Sequence, residues 1–142
     1  MKKEEYLSEI FEIYDIVKVL SSKGGNEVIR IRHKELNKDL VLRNYSSPIS
    51  PYEKILGLTH PNIPTVFEAL NFENGQIVLE EFIDGVTVAE VLEQGNYTYH
   101  GAVKIINGIC NALFTLRDFN IIHRDIKPEN IMVTKTGGVK LI

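Results

Sequence analysis

The chain has 142 residues, of which 44% are hydrophobic, and this length suffices for one ordinary domain core. A net charge of -3 gives no basic field that would attract nucleic acid or an anionic membrane, and no apolar run approaches the roughly 18 residues of a membrane span. The single cysteine, Cys110, excludes an internal disulfide framework. Because no signal-peptide pattern follows Met1 and the chain has one cysteine, we expect a cytoplasmic location. Cys110 lies in an apolar helical pattern, so we expect its thiol to be buried.

The first part of the chain predicts a short helix followed by antiparallel strands. Residues 3–13 have the apolar spacing of an amphipathic helix, although an extended arm is the alternative. Three runs rich in β-branched residues then predict strands at residues 14–20, 27–33 and 39–45. Successive hairpins of this kind favour an antiparallel meander.

A helix and a second strand pair are predicted next. Ser50 followed by Pro51 is typical of a helix start, and the helix is expected to run to about Leu58. Residues 64–72 and 76–82 have strand character, with Asn74-Gly75 between them as a hairpin signal. The sequence up to residue 83 therefore predicts five strands and one short helix.

The second part of the chain predicts a largely helical segment. Asp84-Gly85 is typical of a linker, and residues 87–94 predict a short helix capped by Thr87. Residues 99–119 predict a long helix whose apolar stripe is wide enough for the helix to be largely buried. Two short strands are then expected at residues 131–134 and 139–142, joined at Gly137-Gly138.

The segment with chemical potential lies between the long helix and these strands, and it reads His123-Arg124-Asp125-Ile126-Lys127-Pro128-Glu129-Asn130. An acid, a cation and an amide at short fixed spacings predict a loop whose polar groups point into one cleft. Asp125 could accept a proton from an attacking hydroxyl, Lys127 could neutralise a transferring phosphate, and Asn130 could hold a metal ion. The segment closely resembles the catalytic loop of protein kinases, H-R-D-x-K-x-x-N.

This resemblance extends in order over residues 14–142, with His60-Pro61-Asn62-Ile63 similar to the turn after the small-lobe helix and residues 80–85 similar to the hinge. It implies an α+β, protein-kinase-like fold with a five-stranded antiparallel small lobe and one short helix, followed by a truncated, mainly helical large lobe. The implied division is an N-terminal helix or arm at 1–13, the small lobe and hinge at 14–83, and the first part of the large lobe at 84–142. Lys127 is the choice typical of serine/threonine kinases.

The resemblance also implies a site for ATP, with Mg²⁺ held by Asn130. Apolar side chains would sandwich the adenine, and backbone groups of the hinge would pair with its edge. The residues implied in these adenine contacts are Val28, Val41, Glu81, Ile83 and Met132.

The phosphate-covering turn departs from the family pattern, because its three glycine positions hold Ser21, Lys23 and Asn26. Lys23 and Asn26 could still contact phosphate, and the alternative is a plain β-hairpin turn.

The ion pair of the small lobe departs as well. Arg43 stands where the third-strand lysine belongs, and Pro51 stands where that lysine's glutamate partner would be. Glu80 falls at the gatekeeper position, where a buried carboxylate needs a partner. We therefore expect an Arg43–Glu80 ion pair near the nucleotide; the alternative is that Glu80 is hydrated at the pocket mouth.

Two functions are compatible with these observations. One is a serine/threonine protein kinase that transfers the ATP γ-phosphate to a protein hydroxyl, and the other is a pseudokinase that binds a nucleotide or a partner as a regulatory module. The sequence stops before the position of D-F-G, whose aspartate would hold the main catalytic magnesium, so we expect the 142-residue chain itself to be inactive. An uncovered apolar face on the long helix would lead to self-association.

Overall fold

The structure is a computed structural model that describes residues 1–48 and 51–142. The predicted cap Ser50 therefore lies outside the described residues. The chain divides into two compact units, one made of residues 1–58 and 65–82 and the other of residues 59–64 and 83–142.

The first unit is built on a five-stranded antiparallel sheet with the strand order β1-β2-β3-β5-β4. Every strand predicted for this part of the chain is present, which confirms the predicted fold class. The strands are β1 (Tyr14–Lys23), β2 (Asn26–His33), β3 (Asp39–Tyr45), β4 (Val66–Phe72) and β5 (Gly75–Glu81).

Two hairpin turns of this sheet, β1–β2 and β4–β5, are tighter than predicted. Lys23 pairs with Asn26, so the β1–β2 turn consists of Gly24 and Gly25 alone, with φ of 60° and 78°. Glycine adopts these angles without a steric penalty. Between β4 and β5, the pairing of residues 72 and 75 makes Glu73 and Asn74 the turn residues, in place of the predicted Asn74-Gly75.

The two faces of the sheet have different surroundings. Residues 3–13 form a helix, α1 (Lys3–Ile13), which settles the choice between helix and arm. Its Tyr6 and Ile10 pack against one face of the sheet, in a core that also contains Ile29, Ile31, Leu42, Ile77 and Leu79. Because successive strand residues point to opposite faces, the alternate residues lie on the other face. These residues include Val28, Arg30, Val41, Arg43, Val78 and Glu80.

The short helix after β3 is a single 3-10 turn, Tyr52–Ile55, and the prediction that it runs to Leu58 was wrong. Leu56 is no longer helical, with φ of -56° and ψ of 123°, and it forms a bridge with Val66. The Gly57 N–H donates to the Val66 carbonyl at 2.8 Å. Backbone groups that pair with a strand are unavailable for a further helical turn, so the helix ends there.

The second unit contains a three-stranded antiparallel sheet of β6 (Gly85–Thr87), β7 (Ile131–Thr134) and β8 (Val139–Leu141), in that order. β6 lies where the sequence predicted a linker, because three residues are too few to show a strand period. The predicted helices are present as α2 (Val88–Gln94) and α3 (Tyr99–Asp118). Thr87 caps α2 as expected, with the Glu90 N–H donating to its hydroxyl at 3.1 Å.

The expectation that α3 is largely buried was wrong for the described residues. Ile109, Ala112 and Leu116 are buried, but Ile106 and Phe114 are 58% and 59% exposed. Cys110 is exposed as well, which corrects the prediction of a buried thiol. The apolar stripe of the sequence is wider than the part of the helix that packs against β8. Among the described residues, no helix is long and apolar enough to cross a membrane.

Candidate functional site

The loop with the kinase-like motif connects α3 to β7 and is fixed by residues on both sides. Arg124 adopts a left-handed backbone with φ of 68°, which is uncommon for a residue other than glycine. A 3-10 turn, Pro128–Asn130, then leads into β7. The Ile142 N–H donates to the Asn130 carbonyl at 2.9 Å, which ties the end of the loop to the residue after β8.

His123 supports this loop from within. Its Nδ1 accepts a hydrogen bond from the Asp125 N–H at 3.2 Å, and its Nε2 lies 2.7 Å from the Ile142 carbonyl oxygen. A ring nitrogen that accepts carries no proton, and the other must carry one to reach a carbonyl. The contacts therefore assign a neutral imidazole that donates from Nε2. In this state His123 orients the backbone of Asp125.

The side chains of Asp125, Lys127 and Asn130 form one polar group. Lys127 Nζ lies 3.4 Å from Asp125 Oδ2. Asn130 Nδ2 donates to the carbonyl oxygen and to Oδ2 of Asp125, both at 2.9 Å. The Asp125 side chain is 61% exposed and that of Lys127 is 49% exposed, so both can be approached from solvent.

Asn130 presents a group suited to a hard cation. Since both partners of its amide nitrogen are acceptors, the amide oxygen must point away from Asp125. Amide and carboxylate oxygens are ligands that Mg²⁺ accepts, usually together with water and substrate phosphate. The donor atoms of this loop therefore fit a magnesium ion, with Asn130 as the residue that would hold it.

On the first unit, the predicted Arg43–Glu80 ion pair is confirmed. Arg43 Nε and Nη2 lie 2.7 Å and 2.6 Å from Glu80 Oε1, and the side chains are only 15% and 7% exposed. Burial by itself lowers the pKa of Arg43, but the interactions of Arg43 with its neighbours, chiefly Glu80, together raise the pKa above its usual value. Glu80 is thus paired within the protein, which excludes the alternative of a hydrated carboxylate.

Two tyrosines that sequence reasoning missed complete this cluster. The hydroxyls of Tyr45 and Tyr52 are 2.9 Å apart, and the rings are stacked with centroids 6.0 Å apart. Burial raises the pKa of Tyr52, so its hydroxyl stays protonated. Tyr45 could have been found from its position two residues after Arg43, on the same face of β3. No sequence period pointed to Tyr52, which lies in the 3-10 turn.

The two predicted phosphate contacts, Lys23 and Asn26, flank the β1–β2 turn. The side chain of Lys23 is exposed. Asn26 is half-buried, and its Oδ1 accepts from the Ser46 N–H at 2.9 Å and from the Ser46 hydroxyl at 3.1 Å. Its side-chain oxygen is therefore committed to the segment after β3. Phosphate contact by Lys23 and Asn26 stays a prediction.

The remaining residues that were predicted to bind the nucleotide differ in their exposure to solvent. Val41 and Ile83 are buried, whereas Val28, Glu81 and Met132 are half-buried. The Glu81 N–H donates to the Thr65 carbonyl at 2.8 Å. This hydrogen bond continues the β4–β5 pairing, so the backbone N–H of Glu81 is bonded to another residue of the first unit.

Arg30 is a further charged residue on the same sheet face that sequence reasoning missed. Its guanidinium carbon lies 4.1 Å from the ring centroid of Phe82, and its Nε donates to Asp39 Oδ2 at 2.7 Å. A cation above an aromatic ring is attracted by the negative face of the ring. The signal was the alternation along β2, which places Arg30 on the face of Val28.

Comparisons with known proteins agree with these features. A family model described as "Protein kinase domain" matches residues 18–142. The probable serine/threonine-protein kinase PknB of Lactococcus lactis is 36% identical over 85 residues, which cover 59% of this chain and 14% of that protein. Serine/threonine-protein kinase PknB of Mycolicibacterium smegmatis is 28% identical over 158 residues, covering 100% of this chain and 25% of that protein. The probable serine/threonine-protein kinase CE0033 of Corynebacterium efficiens is 31% identical over 142 residues, covering 96% of this chain and 20% of that protein. The chain thus spans a quarter or less of the length of these relatives.

Proposed function

This chain belongs to the protein kinase domain family. From that premise, we propose that it forms part of a serine/threonine protein kinase, which transfers the γ-phosphate of ATP to a protein hydroxyl. The observation that carries the proposal is the grouping of Asp125, Lys127 and Asn130 within hydrogen-bonding and ion-pair distance in an exposed loop. The serine/threonine class is supported by the position of Lys127 and by the relatives, which are named as serine/threonine-protein kinases.

In the proposed reaction, the Asp125 carboxylate accepts the proton of the attacking hydroxyl. Its backbone is oriented by His123 Nδ1 and its carboxylate by Asn130 Nδ2, so Oδ1 is left to face a substrate. Lys127 Nζ, 3.4 Å from this carboxylate, places a positive charge where the transferred phosphoryl group gains negative charge. Asn130 would hold Mg²⁺, which supplies further neutralisation of phosphate charge when bound.

The first unit supplies the proposed nucleotide contacts. Val28 and Val41 lie on the sheet face that α1 does not cover, which suits the apolar plane of an adenine. In the second unit, the resemblance to the family makes Ile83 and Met132 proposed adenine contacts. The exposed ammonium of Lys23 is the proposed phosphate contact at the β1–β2 turn.

A pseudokinase that works as a regulatory binding module is the second candidate, and one observation favours it. Arg43 stands at the position of the lysine that binds phosphate in the family, yet it forms an ion pair with Glu80 on one face of the sheet. The helix that would carry a glutamate partner is replaced by the 3-10 turn Tyr52–Ile55. We propose that the 142-residue chain by itself does not transfer phosphate, since it contains no Asp-Phe-Gly sequence for a second metal ligand.

The decisive experiment starts from the DNA downstream of the Ile142 codon. An in-frame Asp-Phe-Gly sequence favours the enzyme, and its absence favours the binding module. The extended product is then incubated with labelled ATP, magnesium and a generic protein substrate. We expect phosphoserine or phosphothreonine, reduced at least about 100-fold by Asp125→Asn. Asp118→Asn is the matched control, because Asp118 is an exposed carboxylate at the end of α3.

The 142-residue chain is assayed in parallel and is expected to incorporate no label. Incorporation that Asp125→Asn abolishes would contradict its proposed inactivity. Equal incorporation by the extended wild type and its Asp125→Asn variant would contradict the proposed role of Asp125.

A further inference from the structure

The guanidinium of Arg43 is already neutralised by a carboxylate on the neighbouring strand. Two of its nitrogens converge on one oxygen of Glu80, at 2.7 Å and 2.6 Å. With 15% and 7% of the side chains exposed, neither partner is well hydrated. In the described part of the chain, no second ion-pair partner of Glu80 is present.

The pair lies at the centre of the sheet, between two strands that are hydrogen-bonded to each other. Arg43 is opposite Val78, and Glu80 is opposite Val41, so the two charged residues are diagonal neighbours on one face. β3 has a hydrogen-bonded strand on each side, and so does β5. The backbone positions of both residues are therefore held by strand pairing.

In the part of the chain that the structure describes, Arg43 forms no other ion pair, and two tyrosines lie beside the Arg43–Glu80 pair. Tyr45 lies on the same face of β3, and Tyr52 comes from the 3-10 turn. Their hydroxyls are bonded to each other at 2.9 Å. Burial raises the pKa of Tyr52, which keeps this neighbour neutral. Glu80 is thus the anion that satisfies Arg43.

We propose that Glu80 competes with nucleotide phosphates for Arg43, so that the site recognises the adenine nucleoside and gains little affinity from the phosphates. The inference rests on the proposed nucleotide site and names Glu80 as its specificity-determining residue. A phosphate that binds Arg43 must displace Glu80 and leave a buried carboxylate without its partner, or bind beside that negative charge. A free guanidinium would instead form strong charge-assisted bonds with phosphate.

The test compares adenosine and ATP by isothermal titration calorimetry on the 142-residue chain without magnesium at physiological ionic strength. For the wild type, we expect the two dissociation constants to agree within about threefold. Glu80→Gln keeps the shape of the side chain and removes its charge. It should tighten ATP binding at least about tenfold while changing adenosine binding less than about threefold.

Two further variants separate this effect from net charge. Glu68→Gln removes one negative charge on the side of the sheet that contacts α1, where Glu68 bonds to the Tyr6 hydroxyl, and should leave the ratio of ATP to adenosine affinity unchanged. In the double variant Arg43→Gln with Glu80→Gln, the gain in ATP affinity should disappear, because the cation responsible for it is gone.

The possible outcomes test this inference separately from the proposed nucleotide site on which it rests. Wild-type binding of ATP more than about tenfold tighter than adenosine overturns the inference alone. A Glu80→Gln variant that is folded by circular dichroism and keeps the wild-type ratio overturns it too. If Glu80→Gln does not fold, the wild-type ratio still decides. A wild type that binds neither ligand overturns the proposed nucleotide site, and the inference with it.

Discussion

At the start of β3, the carboxylate of Asp39 accepts hydrogen bonds from two arginines of β2. Arg32 Nε donates to Oδ1 at 2.6 Å and Arg30 Nε donates to Oδ2 at 2.7 Å, while the Asp39 side chain is only 11% exposed. The hydrogen bond from Arg32, together with Arg30, lowers the pKa of Asp39 from 3.8 to about 2. Folding therefore stabilises the charged form of this carboxylate.

A dependence of stability on pH follows from this shift. The contribution of Asp39 is fully present above its unfolded pKa of 3.8 and is lost as the pH falls towards its folded pKa of about 2. Because the arginines are partly exposed, we expect the contribution to be about 1–2 kcal/mol. Asp39→Asn should lower the free energy of unfolding by that amount near neutral pH and reduce its decline in acid. Urea unfolding over this pH range measures both quantities.

Asp15→Asn is the control for this prediction, because Asp15 is 70% exposed and lies 3.9 Å from Lys34. Such a surface pair contributes little. Unfolding curves that shift with pH equally in Asp39→Asn and in the wild type would contradict the role assigned to Asp39.

At the scale of elements, α1 is attached to the sheet by polar as well as apolar contacts. Lys3 is 8% exposed, and its Nζ donates to the carbonyls of Tyr45 at 2.7 Å and Asn74 at 3.3 Å. The Tyr6 hydroxyl bonds to the Glu68 carboxylate, and burial raises the pKa of Tyr6. A buried ammonium without these acceptors would be costly, so α1 is specified to dock in this register.

The prediction at this scale concerns the buried lysine. Lys3→Ala removes the only side-chain donor that the structure assigns to these two carbonyls and should lower the free energy of unfolding by about 1–3 kcal/mol. It should also increase amide hydrogen exchange within α1. Lys2→Ala is the matched control, since Lys2 is exposed and contributes its backbone N–H to the helix cap. Equal stability of the two variants would show that the Lys3 contacts contribute nothing.

At the scale of the whole molecule, α3 presents a continuous apolar strip to solvent. Ile106 and Phe114 are more than half exposed, Val103 is 39% exposed, and the exposed Cys110 lies between them at helical spacing. Contiguous apolar surface of this kind favours association in water.

We therefore expect the 142-residue chain to self-associate through this strip. Sedimentation velocity should show a mass that rises with concentration for the wild type. The double variant Ile106→Asp with Phe114→Asp should remain monomeric. Leu36→Asp is the control, because Leu36 is an apolar residue that is 70% exposed and lies in the β2–β3 connection of the first unit. A wild type that stays monomeric at every concentration would contradict the expectation.

Several features were predictable from the sequence because their causes are local. The strands of the first unit follow from alternating or β-branched runs, and the Thr87 cap follows from a hydroxyl three residues before Glu90. The polar group of Asp125, Lys127 and Asn130 follows from spacing within six residues. The Arg43–Glu80 pair was expected as well, because the resemblance to protein kinases places both residues near the nucleotide.

Other features required the tertiary structure, because their causes lie in residues far apart along the chain. Gly57 and Val66 pair across the loop and end the helix after one turn, against a favourable local pattern. The exposure of Cys110 depends on how much of α3 packs against β8, which no helical period specifies. The sequence determined which strands of the first unit form and which residues could carry phosphotransfer chemistry. Only the tertiary structure decided between a hydrated Glu80 and one paired with Arg43, 37 residues away, because that contact depends on the register of two paired strands.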